Sequence, residues 1–541
     1  MPISITDKIT YRRLTAAGNN SFYYEGTSMS GTMAVLTASI GDVDTSDQLD
    51  MASILQKVFI VNGTNLKVAD FINTKVATTS IGSYAPTPGT VLTGGTSSAK
   101  MVVDYITNDT ASASCVLYGY KTTAAAFTSS ETVTGVDKNG NAVSFVMCDV
   151  SISAPHWYDW KPYGNDETLY GAMPNRAYLI APYRGRLVLA GDTEYPHQWY
   201  MTKVANPFDF LYGSTDPLTA VAGNNADAGQ SPDIIKALIP FHDDYLIFGC
   251  SESIWILRGD PAVGGSLDNL SESTGIFGAR SWCFDDSNNI YFWGNNGFYK
   301  INSDFSGVIN MTAIAIPEII EDEAPSTATH RITLGFDKKR YGIIIAITKV
   351  ADGSNSNYFY SLKTEGFYPE KYPDECGSYS MLFYNSGDPD YDDLLLGCTD
   401  GYIRKFSDTV YSDDIGATDA AISAYFTTSI KHLTGEEDIK GKLTSLTLVN
   451  AGASISGTYW DSSGFTYYIY TGDDAESVIE DIRDGATAFI SAFISTPGRQ
   501  TRMRTKVSAN YMGIKVLNDT AGESFAINKI CGDVKAAGKV R

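Results

Sequence analysis

The residues of this chain that could do chemistry are widely spaced. No two of its five histidines stand at the spacing of metal ligands, so the sequence predicts neither a metal site nor a cofactor; they are His156, His197, His242, His330 and His432. His242 precedes Asp243 and Asp244, a triplet more typical of a hairpin turn than of a hydrolytic or calcium site. The GxSxG nucleophile motif and the phosphate-binding GxxxxGK[ST] motif are both missing from the sequence. We therefore predict no catalytic residues and a protein that is not an enzyme.

Carboxylates could also carry chemistry, because glycoside hydrolysis needs two of them facing one bond. Glu194, Glu252, Glu365 and Asp400 all fall in predicted hairpins, and nothing in the sequence pairs them. Solvated turn carboxylates are the simpler interpretation. A glycoside hydrolase or lyase remains an alternative hypothesis, which two carboxylates converging on one site would favour.

Two other groups of side chains could bind a ligand or a partner molecule. Trp157, Trp160 and Trp199 could form an aromatic contact surface that stacks on sugars or bases, although core packing is the commoner role of tryptophan. The densest basic cluster is GRQTRMRTKV, which contains Arg499, Arg502, Arg504 and Lys506. Alternate spacing places the last three on one face of a strand. That face could contact a DNA backbone, an acidic neighbouring subunit or only solvent, and of the two partners we favour the subunit.

Repeated hairpins position these residues. Between Tyr183 and Phe406, apolar strands rich in aromatics recur on either side of short Asp/Asn/Gly turns, as in YRGRLVLAGD, FHDDYLIFGCSESIWILRG, CFDDSNNIYFWGNNGFYKI, GFDKKRYGIIIAITK and DDLLLGCTDGYIRKF. This pattern indicates antiparallel hairpins. A hairpin cannot bury its apolar face alone, so a series of hairpins predicts an all-β fold and, as its leading case, a β-propeller.

Changes in composition divide the chain into four parts. Residues 1–83 form an N-terminal segment with the first propeller elements, including a hairpin over Lys57–Phe71 that turns at Asn62-Gly63. Residues 84–151, rich in Thr, Ser, Ala and Gly, predict a small inserted β module, and 152–408 the propeller core. Residues 409–541 are a C-terminal β region that completes the propeller or forms a subunit interface. Helices are expected only over Ser46–Gln56, near 314–324 and over Asp473–Asp484.

Charge and cysteine content limit the function classes. The 541 residues carry 40 Lys and Arg against 62 Asp and Glu, a formal charge of −22. Such a chain is a poor general binder of nucleic acid, but an acidic surface lets DNA pass without adhering. Seven scattered cysteines predict reduced, structural thiols and synthesis in a cytoplasm. The N-terminal MPISITDKITYRRL lacks the apolar run of a signal peptide, and no apolar stretch reaches the ~18 residues of a membrane helix.

Several phrases in order resemble the tail hub or nozzle proteins of short-tailed bacteriophages, the group that includes packaged-DNA stabilisation proteins. They are GRLVLAGD with WYMTKVANPFDF, IKALIPFHDDYLIFGCSESIWILRGDP, GIFGARSWCFDDSNNIYFWGNNGFYKI and the closing DGYIRKF. The inserted PGTVLTGGTSSAKMVVDY with FTSSETVTG is similar to small β modules of phage virion proteins. The resemblance covers about half the chain and carries over no site residues.

The resemblance implies a virion structural protein made in the host cytoplasm and located in the phage tail. It implies a homo-hexameric ring below the portal and adaptor, in contact with tail fibres or spikes. Such a ring encloses double-stranded DNA without reading its sequence, retains the packaged genome and guides its ejection. The alternative is a receptor-binding β-propeller of a phage tail that recognises a surface glycan through the rim tryptophans.

Overall fold

The computed structural model describes two compact units of the chain. Unit 1 contains residues 1–352, 358–368 and 378–405, and unit 2 contains residues 353–357, 369–377 and 406–541. Within these ranges the described residues are all but 1, 5–9, 27–32, 37–42, 46–47, 214, 314–324, 386–391, 417–418, 437–438, 452–462, 495–499, 504–505 and 540–541. Strands dominate both units, and the predicted all-β class is confirmed.

Two small antiparallel sheets begin unit 1. The first is a pair, β1 (Pro2–Ser4) and β2 (Thr10–Arg12). The second, called the N-terminal sheet, has three strands: β3 (Thr15–Gly18), β4 (Ser21–Glu25) and β5 (Met33–Val35).

A closed barrel interrupts the next sheet, sheet 1. Sheet 1 begins with β6 (Asp50–Ile54), β7 (Lys57–Val61) and β8 (Leu66–Asp70). The barrel follows as β9 (Thr74–Ile81), β10 (Val91–Gly94), β11 (Lys100–Ile106), β12 (Cys115–Lys121), β13 (Thr132–Val136) and β14 (Ala142–Met147). The chain then returns to pair β15 (His156–Asp159) with β8. Around the barrel the order is β10-β11-β12-β9-β14-β13, so the inserted module includes β9, which precedes the compositional boundary at residue 84.

Five further antiparallel sheets follow in chain order, each with its strands in sequence. Sheet 2 comprises β16 (Leu179–Tyr183), β17 (Arg186–Ala190), β18 (Trp199–Met201) and β19 (Val221–Ala222). Sheet 3 comprises β20 (Ile235–Phe241), β21 (Tyr245–Cys250), β22 (Ile254–Arg258) and β23 (Ser266–Ser271). Sheet 4 comprises β24 (Trp282–Phe284), β25 (Ile290–Gly294), β26 (Gly297–Ile301) and β27 (Val308–Asn310).

Sheets 5 and 6 complete the series. Sheet 5 comprises β28 (His330–Asp337), β29 (Gly342–Lys349), β30 (Asn355–Ser361) and β31 (Gly366–Glu370). Sheet 6 comprises β32 (Ser378–Tyr384), β33 (Asp393–Cys398) and β34 (Ile403–Lys405). Short helices lie at the connections: α1 (Glu167–Tyr170) and the 3-10 turns Tyr163–Asn165 and Asp374–Cys376.

The apolar core of unit 1 lies between successive sheets. One cluster joins sheets 2 and 3, another joins sheets 3 and 4, and a third joins sheets 4 and 5. The first strands of neighbouring sheets contact one another, and β28 continues this succession to β32 of sheet 6. Each sheet thus buries faces that its own hairpins could not cover.

The N-terminal sheet connects the two ends of this series. Phe22 of β4 packs against Val58 and Ile60 of sheet 1, while Glu25 of β4 accepts a 2.8 Å hydrogen bond from Tyr384 Oη of sheet 6. The contacts therefore run from sheet 1 to sheet 6 and return through the N-terminal sheet. A closed succession of this kind is what a propeller requires; the name propeller itself stays a prediction.

The helix expected over Ser46–Gln56 is wrong. Asp50–Ile54 is strand β6, which pairs antiparallel with β7, and Leu55 and Gln56 form the turn with φ of 51° and 56°. Two positive φ angles are the signature of a type I′ hairpin turn. The fully buried β7 needs a hydrogen-bonding neighbour on each side, and this requirement outweighed the helical spacing of the apolar residues. The expected helix at 314–324 lies outside the described residues.

Unit 2 contains two β-sheets around one apolar core. The first pairs β37 (Ala424–Thr427), β38 (Lys431–His432), β40 (Phe465–Gly472), β41 (Ile490–Ile494) and β44 (Tyr511–Asn518). The second pairs β39 (Ile439–Asn450), β42 (Gln500–Met503), β43 (Val507–Ala509) and β45 (Ile527–Lys539). A separate pair is β35 (Ser412–Asp414) with β36 (Asp419–Ala421). Leu446, Leu448, Tyr467, Ile469 and Val516 belong to the shared core.

One helix of unit 2 confirms its prediction. Helix α2 (Ala475–Arg483) lies inside the expected Asp473–Asp484. Asp474 caps it by accepting a 2.7 Å hydrogen bond from Ser477 N, and Val478 is buried against β40 and β44. Among the described residues, no helix of the chain has the length and apolar character needed to cross a membrane. All seven cysteines are free thiols, and Cys250 and Cys398 are buried at strand ends as expected.

A buried arginine holds sheet 2 together. Arg186 of β17 is 0% exposed and donates to the carbonyls of Thr202, Pro217, Leu218 and Thr219. Burial lowers the pKa of its guanidinium, and Asp260, 3.5 Å away, opposes that shift. One cation therefore binds the carbonyls of four residues that lie outside the strands of sheet 2.

We predict that Arg186→Met lowers the free energy of unfolding by about 3 kcal/mol, because the carbonyls of Thr202 and Thr219 lose a buried donor and Asp260 loses its cation. Chemical denaturation measures the change. The conservative variant Arg184→Lys, at a half-buried position where it alters one hydrogen bond to the Asp243 carbonyl, should change the free energy of unfolding by less than about 0.5 kcal/mol. Equal effects of the two substitutions would contradict the stabilising role assigned to Arg186.

A buried glutamate, Glu131, connects two loops of the barrel. Glu131 accepts hydrogen bonds from Thr96 N at 3.1 Å, Ser97 N at 2.9 Å and Thr128 N at 2.6 Å. Burial acts to raise the pKa of Glu131, but these hydrogen bonds outweigh it and hold the pKa below its ordinary value. The carboxylate thereby joins the β10–β11 turn to the segment before β13.

Glu131→Gln should destabilise the chain by about 2 kcal/mol at pH 7, since an amide NH2 would face backbone donors. A lowered folded pKa contributes stability above the unfolded pKa of about 4.3, and that contribution is lost as pH falls through the folded pKa. The deficit of the variant should therefore hold from pH 7 to about pH 5 and shrink below about pH 4 in denaturation series. The exposed Glu272→Gln serves as control; a pH-independent deficit would contradict the assignment.

Candidate functional site

A cavity of about 710 Å³ opens in unit 1, where the first strands of five sheets begin. Its lining includes one residue at or near the start of each first strand: Gln48, Tyr178, Lys236, Phe277 and Thr327. We call it the inter-sheet cavity. Side chains from five sheets therefore surround one space.

Tyr178 forms a wall of the inter-sheet cavity. Its ring lies against Gly191, where a Cβ would come within 2.7 Å of the ring and where φ is +73°. Its hydroxyl donates to the Ile235 carbonyl at 3.4 Å, and the neighbouring Ala177 carbonyl accepts from Gly63 N at 3.1 Å. Tyr178 and its neighbour thus connect sheet 2 with sheets 1 and 3.

An ion pair between the buried Asp50 and the half-buried Arg280 lies beside this wall. Asp50 Oδ1 is 2.6 Å from Arg280 Nη2, and Asp50 Oδ2 accepts from Ile180 N at 3.2 Å. The Arg280 carbonyl in turn accepts from Leu334 N at 3.1 Å. Sheets 1, 2, 4 and 5 are therefore connected through two residues. Burial raises the pKa of Asp50, and the Arg280 cation and the backbone donors oppose this rise.

Two cations line the inter-sheet cavity itself. Arg176 is paired with Glu194 at 2.7 Å, and both side chains are about half exposed. Lys236 lies at a β-bulge of β20, where the pairing register with β21 skips between Ile235 and Ala237. Ile235 and Ala237 are buried in two different core clusters, whereas the half-buried Lys236 lines the cavity. A bulge commonly redirects a side chain in this way.

The three tryptophans predicted to form an exposed contact surface do not form one. Trp160 and Trp199 are 3% and 0% exposed, because each packs in an apolar cluster and donates its indole N–H to a carbonyl, of Pro207 and Gly229 respectively. Trp157 is half-buried and stacks on Phe22 at 5.3 Å. That prediction was wrong for Trp160 and Trp199, for which the commoner core role holds.

The predicted basic face is described only in part. Arg499 and Arg504 lie outside the described residues, and only the backbone of Arg502, in β42, is described. Lys506 is exposed and precedes β43. Contact of these four residues with a subunit or with DNA stays a prediction.

The other candidates serve turns and ion pairs. His242, with φ of 52°, belongs to the turn between β20 and β21, and Asp243 accepts from Arg184 N at 3.2 Å. Asp400 binds Arg404 through two hydrogen bonds of 2.7 and 2.6 Å, while Glu194 is the partner of Arg176. Glu252 and Glu365 are exposed turn residues. In the described part of the chain, no three His, Cys, Asp or Glu side chains are grouped as metal ligands.

Sequence reasoning missed the inter-sheet cavity. Lys236 offered a signal, because it is a lone charge at the second position of the apolar strand IKALIPF. Asp50 and Arg280 offered none, since their contact joins positions 230 residues apart.

Comparison with known proteins gives no family. No family model matches the chain, and no curated protein matches it. Among solved structures, it is similar to an extracellular domain assigned to a one-component system of B. thetaiotaomicron, at 11% identity and a TM-score of 0.29, over 99% of this chain and 80% of that one. It is also similar to an oligogalacturonate lyase in complex with manganese, at 8% identity and a TM-score of 0.20, over 62% of this chain and 88% of that one. Likeness this distant carries no argument about function.

We predict that Arg280→Gln destabilises the chain by about 2 kcal/mol at pH 7, because Asp50 remains buried without its cation. A raised folded pKa gives stability that is present below the unfolded pKa of about 3.9 and lost as pH rises. The deficit should therefore narrow in denaturation series below about pH 4. In a double-mutant cycle, Asp50→Asn with Arg280→Gln should cost less than the sum of the single changes. Additive costs would contradict a direct pair.

Proposed function

We propose that the chain is a structural protein of a bacteriophage virion, a subunit of the tail nozzle or hub ring below the portal and adaptor. Copies of the chain form a homo-hexameric ring around the DNA exit channel. The ring retains the packaged genome and guides its ejection, with fibres or spikes attached outside. Its role is passive: side chains narrow the channel, and the acidic balance of −22 keeps DNA from adhering.

The observation that carries this proposal is a pair of outward-facing apolar rows, one in each unit. On the barrel, Val136, Val91, Val102 and Tyr120 are paired in register across β13, β10, β11 and β12. Residues directly opposite in a sheet share a face. Val136 is 63% and Tyr120 54% exposed, so this row faces outward.

Unit 2 has a similar row. Tyr425, Leu517, Thr466 and Phe493 are paired across β37, β44, β40 and β41, and their neighbours Val516 and Tyr467 face the core instead. Phe493 is 65% exposed, and Lys515 lies 4.6 Å over the Tyr425 ring. Exposed apolar patches mark protein contacts, and copies of one chain in a ring would cover them.

The adhesion alternative has less support. It depended on a rim of exposed tryptophans, and Trp160 and Trp199 are buried. The phrases that resemble nozzle proteins, in contrast, coincide with strands of sheets 2, 3, 4 and 6, as a propeller-based ring subunit would require.

Mass photometry of the purified chain, with and without the portal–adaptor complex of the same phage, tests the proposal. We expect a ring of six copies, alone or on that complex. Phe493→Glu and Val136→Glu should weaken assembly at least about tenfold, because each places a charge in an apolar contact. Val263→Glu, at a turn residue that is 67% exposed and belongs to neither row, is the control and should leave assembly unchanged.

A monomer or trimer that ignores the portal–adaptor complex would overturn the ring proposal. If a ring forms and none of the three substitutions weakens it, the apolar rows are not the contacts between copies and no longer support the proposal.

A further inference from the structure

We propose that the inter-sheet cavity is a binding site for an acidic saccharide, with Lys236 pairing the sugar carboxylate. This inference goes beyond the proposed function and does not depend on ring assembly. It assigns a ligand class to a space that a structural role leaves unused.

The first argument is charge. Among the cations of the cavity and its surroundings, Arg176 has Glu194 and Arg280 has Asp50 as ion-pair partners. Lys236 has no ion-pair or hydrogen-bond partner among the described residues. Within the described part of the chain, the cavity lining therefore contains one cation without an ion-pair partner. A partly enclosed cation strongly favours one anionic group close by.

The second argument is the neutral lining. Gln48, Asn175, Thr193 and Thr327 line the cavity, and their side chains make no hydrogen bond within the described part of the chain. Amides and hydroxyls both donate and accept, as sugar hydroxyls require. A site for phosphate alone would need chiefly N–H donors and further cations.

The third argument is the apolar part of the wall. The partly buried rings of Tyr178 and Phe277 line the same cavity. Aromatic rings present apolar surface next to polar groups, which suits the C–H faces of a pyranose ring. The volume of about 710 Å³ is within the range of small-ligand sites. Carboxylate, hydroxyls and apolar ring faces occur together in a uronate sugar, which favours a saccharide over an acidic peptide.

Isothermal titration calorimetry of the full chain tests this inference, with a glucuronate-containing tetrasaccharide as the probe. We expect saturable binding at one site per chain. Carboxyl reduction of the probe, or Lys236→Gln in the protein, should weaken binding about tenfold or more, since each removes the ion pair. Lys100→Gln changes an exposed lysine of barrel strand β11, which contributes no residue to the cavity lining, and should leave binding unchanged. Thermal denaturation should show that both variants are folded.

Three results would overturn the proposal. The first is no saturable binding of the tetrasaccharide. The second is equal binding of the acidic and the reduced probe, or binding that Lys236→Gln does not alter. The third is a hexaglutamate peptide that binds more tightly than the sugar with the same dependence on Lys236, which would assign the cavity to a protein segment. None of these results bears on the ring, which mass photometry measures separately.

Discussion

The ion pair of Asp50 with Arg280 is the contact on which the arrangement of unit 1 depends most. Asp50 belongs to the first strand of sheet 1, holds the backbone of sheet 2 through Ile180 N and reaches Arg280, whose carbonyl is bound by Leu334 N of sheet 5. Each apolar cluster between sheets holds only two adjacent sheets together. The ion pair instead joins sheet 1 to the start of sheet 4, and the buried carboxylate of Asp50 would be costly without its cation.

The inter-sheet cavity lies where the first strands of five sheets begin. Polar and charged residues gather there because strand ends leave backbone groups and side chains that the apolar clusters do not cover. Lys236 is directed into that space by a bulge in β20. Outside the inter-sheet cavity, the apolar rows of the barrel and of unit 2 present the opposite chemistry. A chain with both kinds of surface suits a structural subunit that also contacts a small polar ligand.

Much of the fold could be predicted because its signals are local. The hairpins around YRGRLVLAGD and FHDDYLIFGC carry their turns and alternation in the sequence, and α2 carries its cap and apolar face. Predictions failed where pairing with distant strands determines the secondary structure. The residues of β6 follow a helical pattern but complete sheet 1, and β9 joins the barrel from outside the Thr-rich segment. The candidate site could not be predicted, because Gln48, Tyr178 and Lys236 line one cavity only after the sheets are arranged.

The central claim is that copies of this chain enclose the DNA exit channel of a phage tail. Cryo-electron microscopy of virions that contain the chain tests it most directly. The account predicts a closed ring of this chain directly below the adaptor, with DNA on its axis and the barrel or unit 2 apolar rows at contacts between copies. Density for the chain only in peripheral appendages, away from the DNA path, would contradict it.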